Sequence, residues 1–165
     1  MLSFNKKTCL AVIFVIAIGL GGCSDVPSEY KSFFSLPPGK MEEALSEYSL
    51  SQQIDIMIIG WMVPHPPFLF YFEVAKNGEQ IVPLLIQRIA ETNDMQTLRP
   101  MVRCMYEINK RYFEWTRIPS YAEKFNDILS AKTDLMIQKE IKGILDTGKI
   151  YPFLHDSSPE NQTAS

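Results

Sequence analysis

Two histidines, three cysteines and scattered carboxylates are the side chains from which this 165-residue chain could build a reactive centre. A zinc or other transition-metal site needs three or four His, Cys or carboxylate ligands that converge. His65 lies inside the run Val63-Pro64-His65-Pro66-Pro67, His155 lies near the C-terminus, and neither pairs with Cys104 at helical or loop spacing. No metal and no cofactor is therefore expected. Nucleophilic catalysis asks for a Ser or Cys beside a positioned base, and no Gly-x-Ser-x-Gly occurs. Cys104 falls on an apolar helical stripe with Met101, Met105 and Ile108, where it reads as a small buried hydrophobe. Glu42, Glu43 and Glu47 come nearest to the paired carboxylates of glycan hydrolysis, but with no aromatic groove around them they read as a solvated acidic face. Arg99, Arg103, Lys110, Arg111 and Arg117 give one helix and its exit a basic side. That side reads as solvated surface, with an anionic envelope component or an acidic partner protein as the alternative. No catalytic residue is assigned, and the chain reads as a non-enzyme; an envelope enzyme with an unrecognised site is the rival class.

One thiol has a different context. The chain opens with Lys6 and Lys7 and no acid, followed by the almost wholly apolar run 8–20, which is shorter than the roughly 20 residues a transmembrane helix needs. It ends in Leu20-Gly21-Gly22-Cys23, which resembles the lipobox of bacterial prolipoproteins. Small residues before the cysteine let an extended backbone enter a peptidase site, and the thiol is the side chain able to accept a diacylglyceryl thioether. The resemblance implies cleavage before Cys23 and acylation of the new amino group, so that several chains anchor the protein where one would hold it only marginally. It also carries a sorting rule: Asp directly after the lipidated Cys retains many such proteins in the inner membrane. Here Ser24 takes that place and Asp25 follows, so residence in the outer membrane, facing the periplasm, is expected.

Removing residues 1–22 of 165 leaves 143 and takes away two lysines but no acid, moving the formal charge from −3 to −5. A mildly acidic exported chain lacks the basic footprint of a nucleic-acid partner. With Cys9 in the leader and Cys23 lipidated, Cys104 is left alone and no intramolecular disulfide can form. The expected partners are the membrane, through the N-terminal lipid, and another envelope protein.

The least ordinary stretch is 61–72, W-M-V-P-H-P-P-F-L-F-Y-F, with more aromatic side chains than one buried stripe requires. A helix apolar all round is either deeply buried or shared with a partner. Phe68, Phe70, Tyr71 and Phe72 are accordingly the candidate docking patch, with core as the competing reading.

The elements that position these residues read as helices. Residues 23–36 form a lipidated tether, 37–148 one helical domain and 149–165 a polar tail without apolar periodicity. A first helix is predicted over 38–48, with Met41, Ala44, Leu45 and Tyr48 on one face. Ser49 and Gln52 form a capping box that opens a second at Leu50, and the proline run from Pro64 ends it. A third is expected over 67–76, closed at Asn77-Gly78; a fourth over 79–92, bent at Pro83; a fifth over 98–113. Ser120 and Glu123 form a second capping box before a long segment that ends at Gly148 and could break near Ser130. The expected fold is all-α, a helical bundle or short array of about six helices.

The run from Ile81 to Asn109 is weakly similar to a HEAT-type repeat, with Pro83 early in one helix and Val102-Arg103 opening the next. The gap between the two signatures is longer than such repeats allow and no second copy is visible, so the likeness implies helical-hairpin geometry only. A competing resemblance covers about 25 residues: Phe34-Ser-Leu-Pro37, Met41, Ala44-Leu45 and Gln53-Ile-Asp-Ile-Met57 resemble the strand, helix, strand start of the short periplasmic domain of secretins and TonB-dependent receptors. That resemblance implies a strand at 53–57.

Overall fold

The computed structural model describes residues 26–63 and 68–149. The leader, Cys23, His65 and the tail with His155 lie outside the described residues. Within them the chain is all-α, with eight α-helices, three short 3-10 turns and no strand.

The chain packs earlier than a tether over 23–36 would allow. A 3-10 turn at Ser28–Tyr30 runs into the one-turn helix α1 (Lys31–Phe34), and Tyr30 and Phe33 are buried. Two aromatic side chains three residues apart fold this segment back onto the core. The Tyr30 hydroxyl reaches Asp55 at 3.3 Å, and the Phe33 ring meets Tyr48 and Phe70 at 5.5 Å edge-on. Any tether therefore ends at Val26, which already packs against the core.

Helix α2 (Pro38–Leu45) starts on a proline whose missing N–H costs nothing in the first turn, and it buries Met41 and Leu45. Helix α3 (Leu50–Met62) opens on the expected capping box: the Ser49 hydroxyl accepts from the Gln52 amide, and the Gln52 side chain accepts from Ser49 N–H at 3.1 Å. It ends as Val63 turns extended before the prolines. The strand at 53–57 is thereby overturned. Those residues are helical, and Gln53 uses its side chain to donate to Tyr48 O at 2.9 Å and accept from Asn77 at 2.8 Å.

Helix α4 (Tyr71–Ala75) is shorter than the 67–76 expected. The Phe68 amide donates to Gly60 O at 3.0 Å, so this part of the chain is tied to the end of α3 and cannot start a helix. A 3-10 turn (Gly78–Ile81) then leads into α5 (Val82–Glu91), where Pro83 occupies the first turn and starts the helix without bending it. Helix α6 (Met95–Arg111) begins three residues before the expected 98 because the Asp94 side chain caps Gln96 and Thr97 N–H. After a 3-10 turn at Trp115–Arg117, α7 (Pro119–Ala131) starts on Pro119. The second capping box does not form, since the proline preset for the first helical position places Ser120 inside the helix. The expected break falls at 132–134, where Asp134 caps α8 (Leu135–Thr147). Gly148, at φ 67°, closes it in the left-handed region.

Helix α6 is the centre. It packs against α3, α4, α5 and α8, while α7 lies on α5. Leu98, Met101, Val102, Cys104, Met105 and Ile108 carry its apolar contacts and are fully buried. Burial, with the negative charge of Glu107 adding to it, pushes the Cys104 thiol well above its ordinary value, as expected of a structural cysteine. Lys132, in the α7–α8 connection, is also buried, and its ammonium donates to Ile89 O at 2.8 Å and Thr92 O at 2.5 Å, capping the C-terminus of α5. No helix among the described residues is long and apolar enough to cross a membrane.

Asp94 supplies a test of the central helix. The Thr97 hydroxyl, donating at 2.6 Å, holds the carboxyl below its ordinary value of 3.8, and the two backbone amides add to this against a smaller opposing effect of burial. A depressed folded-state value means the stabilisation is complete above the unfolded carboxylate range and is lost as pH falls through the folded value. Asn caps helices without titrating. In denaturant unfolding, the wild-type chain should therefore lose stability relative to Asp94→Asn on acidification below about pH 4, and parallel pH profiles would show that the cap carries no such linkage.

Candidate functional site

The aromatic stretch is divided between two environments by the helices on either side of it. At the end of α3, Gly60 leaves room for the returning chain. A Cβ there would meet Phe70 Cδ2 at 2.8 Å and Phe68 Cβ at 3.3 Å, so any side chain at 60 would push the rings away. Phe68 and Phe70 stack at 5.5 Å with planes 11° apart, and Phe34 of α1 packs beside both at 6.2 and 6.3 Å. Phe33, Tyr48 and Tyr30 extend the group into the core. Burial first, then the negative charges of Asp55 and Glu29, push the Tyr30 phenol up to about 12, so it serves as a hydrogen-bond donor at any ordinary pH.

Tyr71 and Phe72 face the other way, onto α6. The Arg103 guanidinium lies 5.5 Å from the Tyr71 ring, 5.9 Å from Phe72 and 5.0 Å from Tyr106, and Arg111 covers Phe72 at 5.7 Å. Both arginines pair with Glu107, whose carboxylate is 1% exposed, at 2.6 and 2.7 Å. Gly148 completes this corner. A Cβ there would strike Tyr106 and Arg103, so the left-handed residue that ends α8 must also be the one without a side chain. Burial pushes the Tyr71 phenol up, partly offset by Arg103.

The four residues of the expected patch thus do not form one exposed surface. Phe70, at 4% exposure, and Tyr71 are core, while Phe68 and Phe72 are half-buried at their edges. Helical spacing alone would have put Phe68 beside Tyr71, but residues 68–70 are not helical and Phe68 stacks on Phe70. The side chains that do reach solvent here were not singled out by the sequence: Leu69 is 45% exposed and Met62 39%. Beside Leu69 lies a hollow of about 200 Å³ lined by Pro38, Phe68, Phe70 and Phe72, with Glu42 and Glu73 at its rim. Glu73 pairs with Lys76.

The other candidates resolve into scaffold. The basic side of α6 is largely neutralised within the domain: Arg99 pairs with Glu140 at 2.6 Å, Arg103 and Arg111 with Glu107, and Arg117 with Glu114 at 2.7 Å. Lys110 lies 5.5 Å from the Tyr106 ring. Glu42, Glu43 and Glu47 are exposed, with Glu43 bound to Lys40 at 2.6 Å. Among the described residues no three His, Cys, Asp or Glu side chains converge as a metal site would require. A larger groove of about 340 Å³ separates α7 from α8, with Trp115, Phe125, Leu129 and Leu145 as its apolar lining and Asn126, Lys142 and Asp146 among its polar groups.

No family model, curated protein or solved structure matches this chain.

Truncation to Ala should separate scaffold from surface. Phe70→Ala should cost about 3 to 5 kcal/mol of stability, because a buried ring in contact with Phe33 and Gly60 leaves a cavity. Leu69→Ala should stay within about 0.5 kcal/mol, as exposed substitutions do. Denaturant midpoints measure both, and equal losses would make the whole stretch core. Glu107→Ala should cost about 3 kcal/mol or more by stranding Arg103 in a largely buried position; an unchanged midpoint would show that the pairing is dispensable.

Proposed function

We propose that this chain is a lipid-anchored cell-envelope protein whose helical domain is a non-catalytic interaction or envelope-assembly module. Cys23 carries the lipid, the outer membrane is its residence and the domain faces the periplasm. The observation that carries the reading is the lipobox Leu20-Gly21-Gly22-Cys23 placed directly ahead of a helical domain that begins at Val26. The disposition of the polar groups supports the second half. Arg99, Arg103, Arg111, Glu107 and Glu140 are engaged in ion pairs within the domain, Asp94 and Asp134 in helix caps, and Lys132 in capping α5. The Cys104 thiol is buried and kept protonated, unsuited to nucleophilic attack. A partner of such a module is another envelope protein.

The direct test is metabolic labelling with a fatty-acid analogue in a bacterial host that processes lipoproteins. The wild-type chain should take up label and fractionate with membranes. Cys23→Ser should take up none and accumulate as uncleaved precursor, and undiminished label on that variant would remove the anchor. In a Gram-negative host, density separation should place the wild type in the outer membrane; recovery wholly with the inner membrane would refute that residence.

A further inference from the structure

We propose that the groove between α7 and α8 is a peptide-binding site whose occupant is the chain's own segment 150–154, Ile-Tyr-Pro-Phe-Leu, which follows directly on α8. The site consists wholly of described residues and does not depend on the anchor at Cys23.

Two helices consecutive in the chain do not close on each other here. Helix α7 leans on α5 and on the 3-10 turn at Trp115–Arg117, whereas α8 leans on α6. Lys132 fastens the connection between them on both sides: its ammonium donates to Ile89 O and Thr92 O at the end of α5, and its carbonyl accepts from Gln138 Nε2 at 2.5 Å. The groove of about 340 Å³ stays open between the helices, with the rings of Trp115 and Phe125, 5.3 Å apart, as its floor. Phe125 is the buried residue of α7, and Leu129 on α7 and Leu145 on α8 are left half-covered where they line the groove. Such a lining gains from any apolar segment that removes it from water.

The polar groups of the groove fit a peptide without charge. Among the described residues the side chains of Asn126, Lys142 and Asp146 have no hydrogen-bond or ion-pair partner. An Asn amide offers a donor and an acceptor side by side, the complement of a peptide group, and backbone groups taken out of water require such partners. Lys142 and Asp146 balance each other in sign, so neither an acidic nor a basic segment is favoured. Segment 150–154 has two aliphatic and two aromatic side chains and no charge, and residues 155–165 carry no large apolar side chain.

The exit from α8 selects this side of the helix. Gly148 N–H donates to Ile144 O at 2.7 Å and Lys149 N–H to the Thr147 hydroxyl at 3.1 Å, so the chain is held against the last turn as it leaves. One side of that turn carries Ile144 and Gly148, and there the corner is full: a Cβ at 148 would already strike Tyr106 and Arg103. The other side carries Leu145 and Asp146 and is the wall of the groove. Phe153 is four residue steps from Lys149, at most about 14 Å, which keeps the segment beside that wall. At so short a range its effective concentration is on the order of millimolar, and a weak contact is enough to fill the site.

The test uses the full chain with Phe153 replaced by the photoreactive p-benzoylphenylalanine, and a control with the same replacement at Thr163. After irradiation of the purified protein, peptide mass spectrometry should find adducts from position 153 on groove residues, Leu129 and Leu145 foremost. They should lie within one chain, with a yield independent of protein concentration and about tenfold or more above that from position 163, as a tethered, seated segment requires. Asn126→Trp fills the groove from an exposed position of α7; it should abolish the adducts while leaving the thermal melt by circular dichroism nearly unchanged. Leu145→Ala, which thins the lining, should reduce them. Equal yields from 153 and 163, adducts on Tyr106 or Arg103 instead, or adducts that survive in folded Asn126→Trp each overturn the proposal. Adducts that join two chains and rise with concentration overturn the seat within one chain and give the groove to a second copy.

Discussion

The fold depends on a carboxylate that has no water to turn to. Glu107 sits in the last turns of α6, the helix against which α3, α4, α5 and α8 pack, and its side chain is enclosed. Enclosing such a group is costly unless charge partners replace the lost hydration. Arg103 and Arg111, one turn away on either side along the same helix, are those partners. Their positions then dictate others. The guanidinium planes need apolar cover of the right shape, which Tyr71, Phe72 and Tyr106 supply, and the space beside Arg103 is so limited that α8 has to end on a residue without a side chain. The register of α4 and the end of α8 thus follow from one pairing on α6. The price is specificity over raw stability, since an apolar trio would pack the same volume without desolvating charge.

What could be read from the sequence was whatever had a local cause. Ser49 with Gln52 names a helix start because both hydrogen bonds lie within one turn, and Val63 before Pro64 names a stop because the clash is between neighbours. Gly148 was legible in the same way, although the sequence shows only that it can adopt the left-handed region. That Arg103 and Tyr106 leave no room for anything larger is a tertiary fact. Asp94 and Asp134 were local caps too, and the cue was present: an acid just before each helical stripe. The misreadings have a common origin in competition between local signals or between local and distant ones. Pro119 outcompeted Ser120 for the start of α7, and the α3 terminus captured the Phe68 amide before α4 could.

The candidate site was half legible for the same reason. Composition shows that 61–72 carries more aromatic side chains than a stripe can use, but not which of them the domain absorbs. That is decided by Gly60 and by Phe33, one at the end of α3 and the other in a segment that reads as tether. Once Phe70 is held by both, it is core, while Phe68 is half-buried and Leu69 between them is left exposed. The tether was misjudged because burial of Tyr30 and Phe33 is wholly non-local: their partners are Asp55, Tyr48 and Phe70.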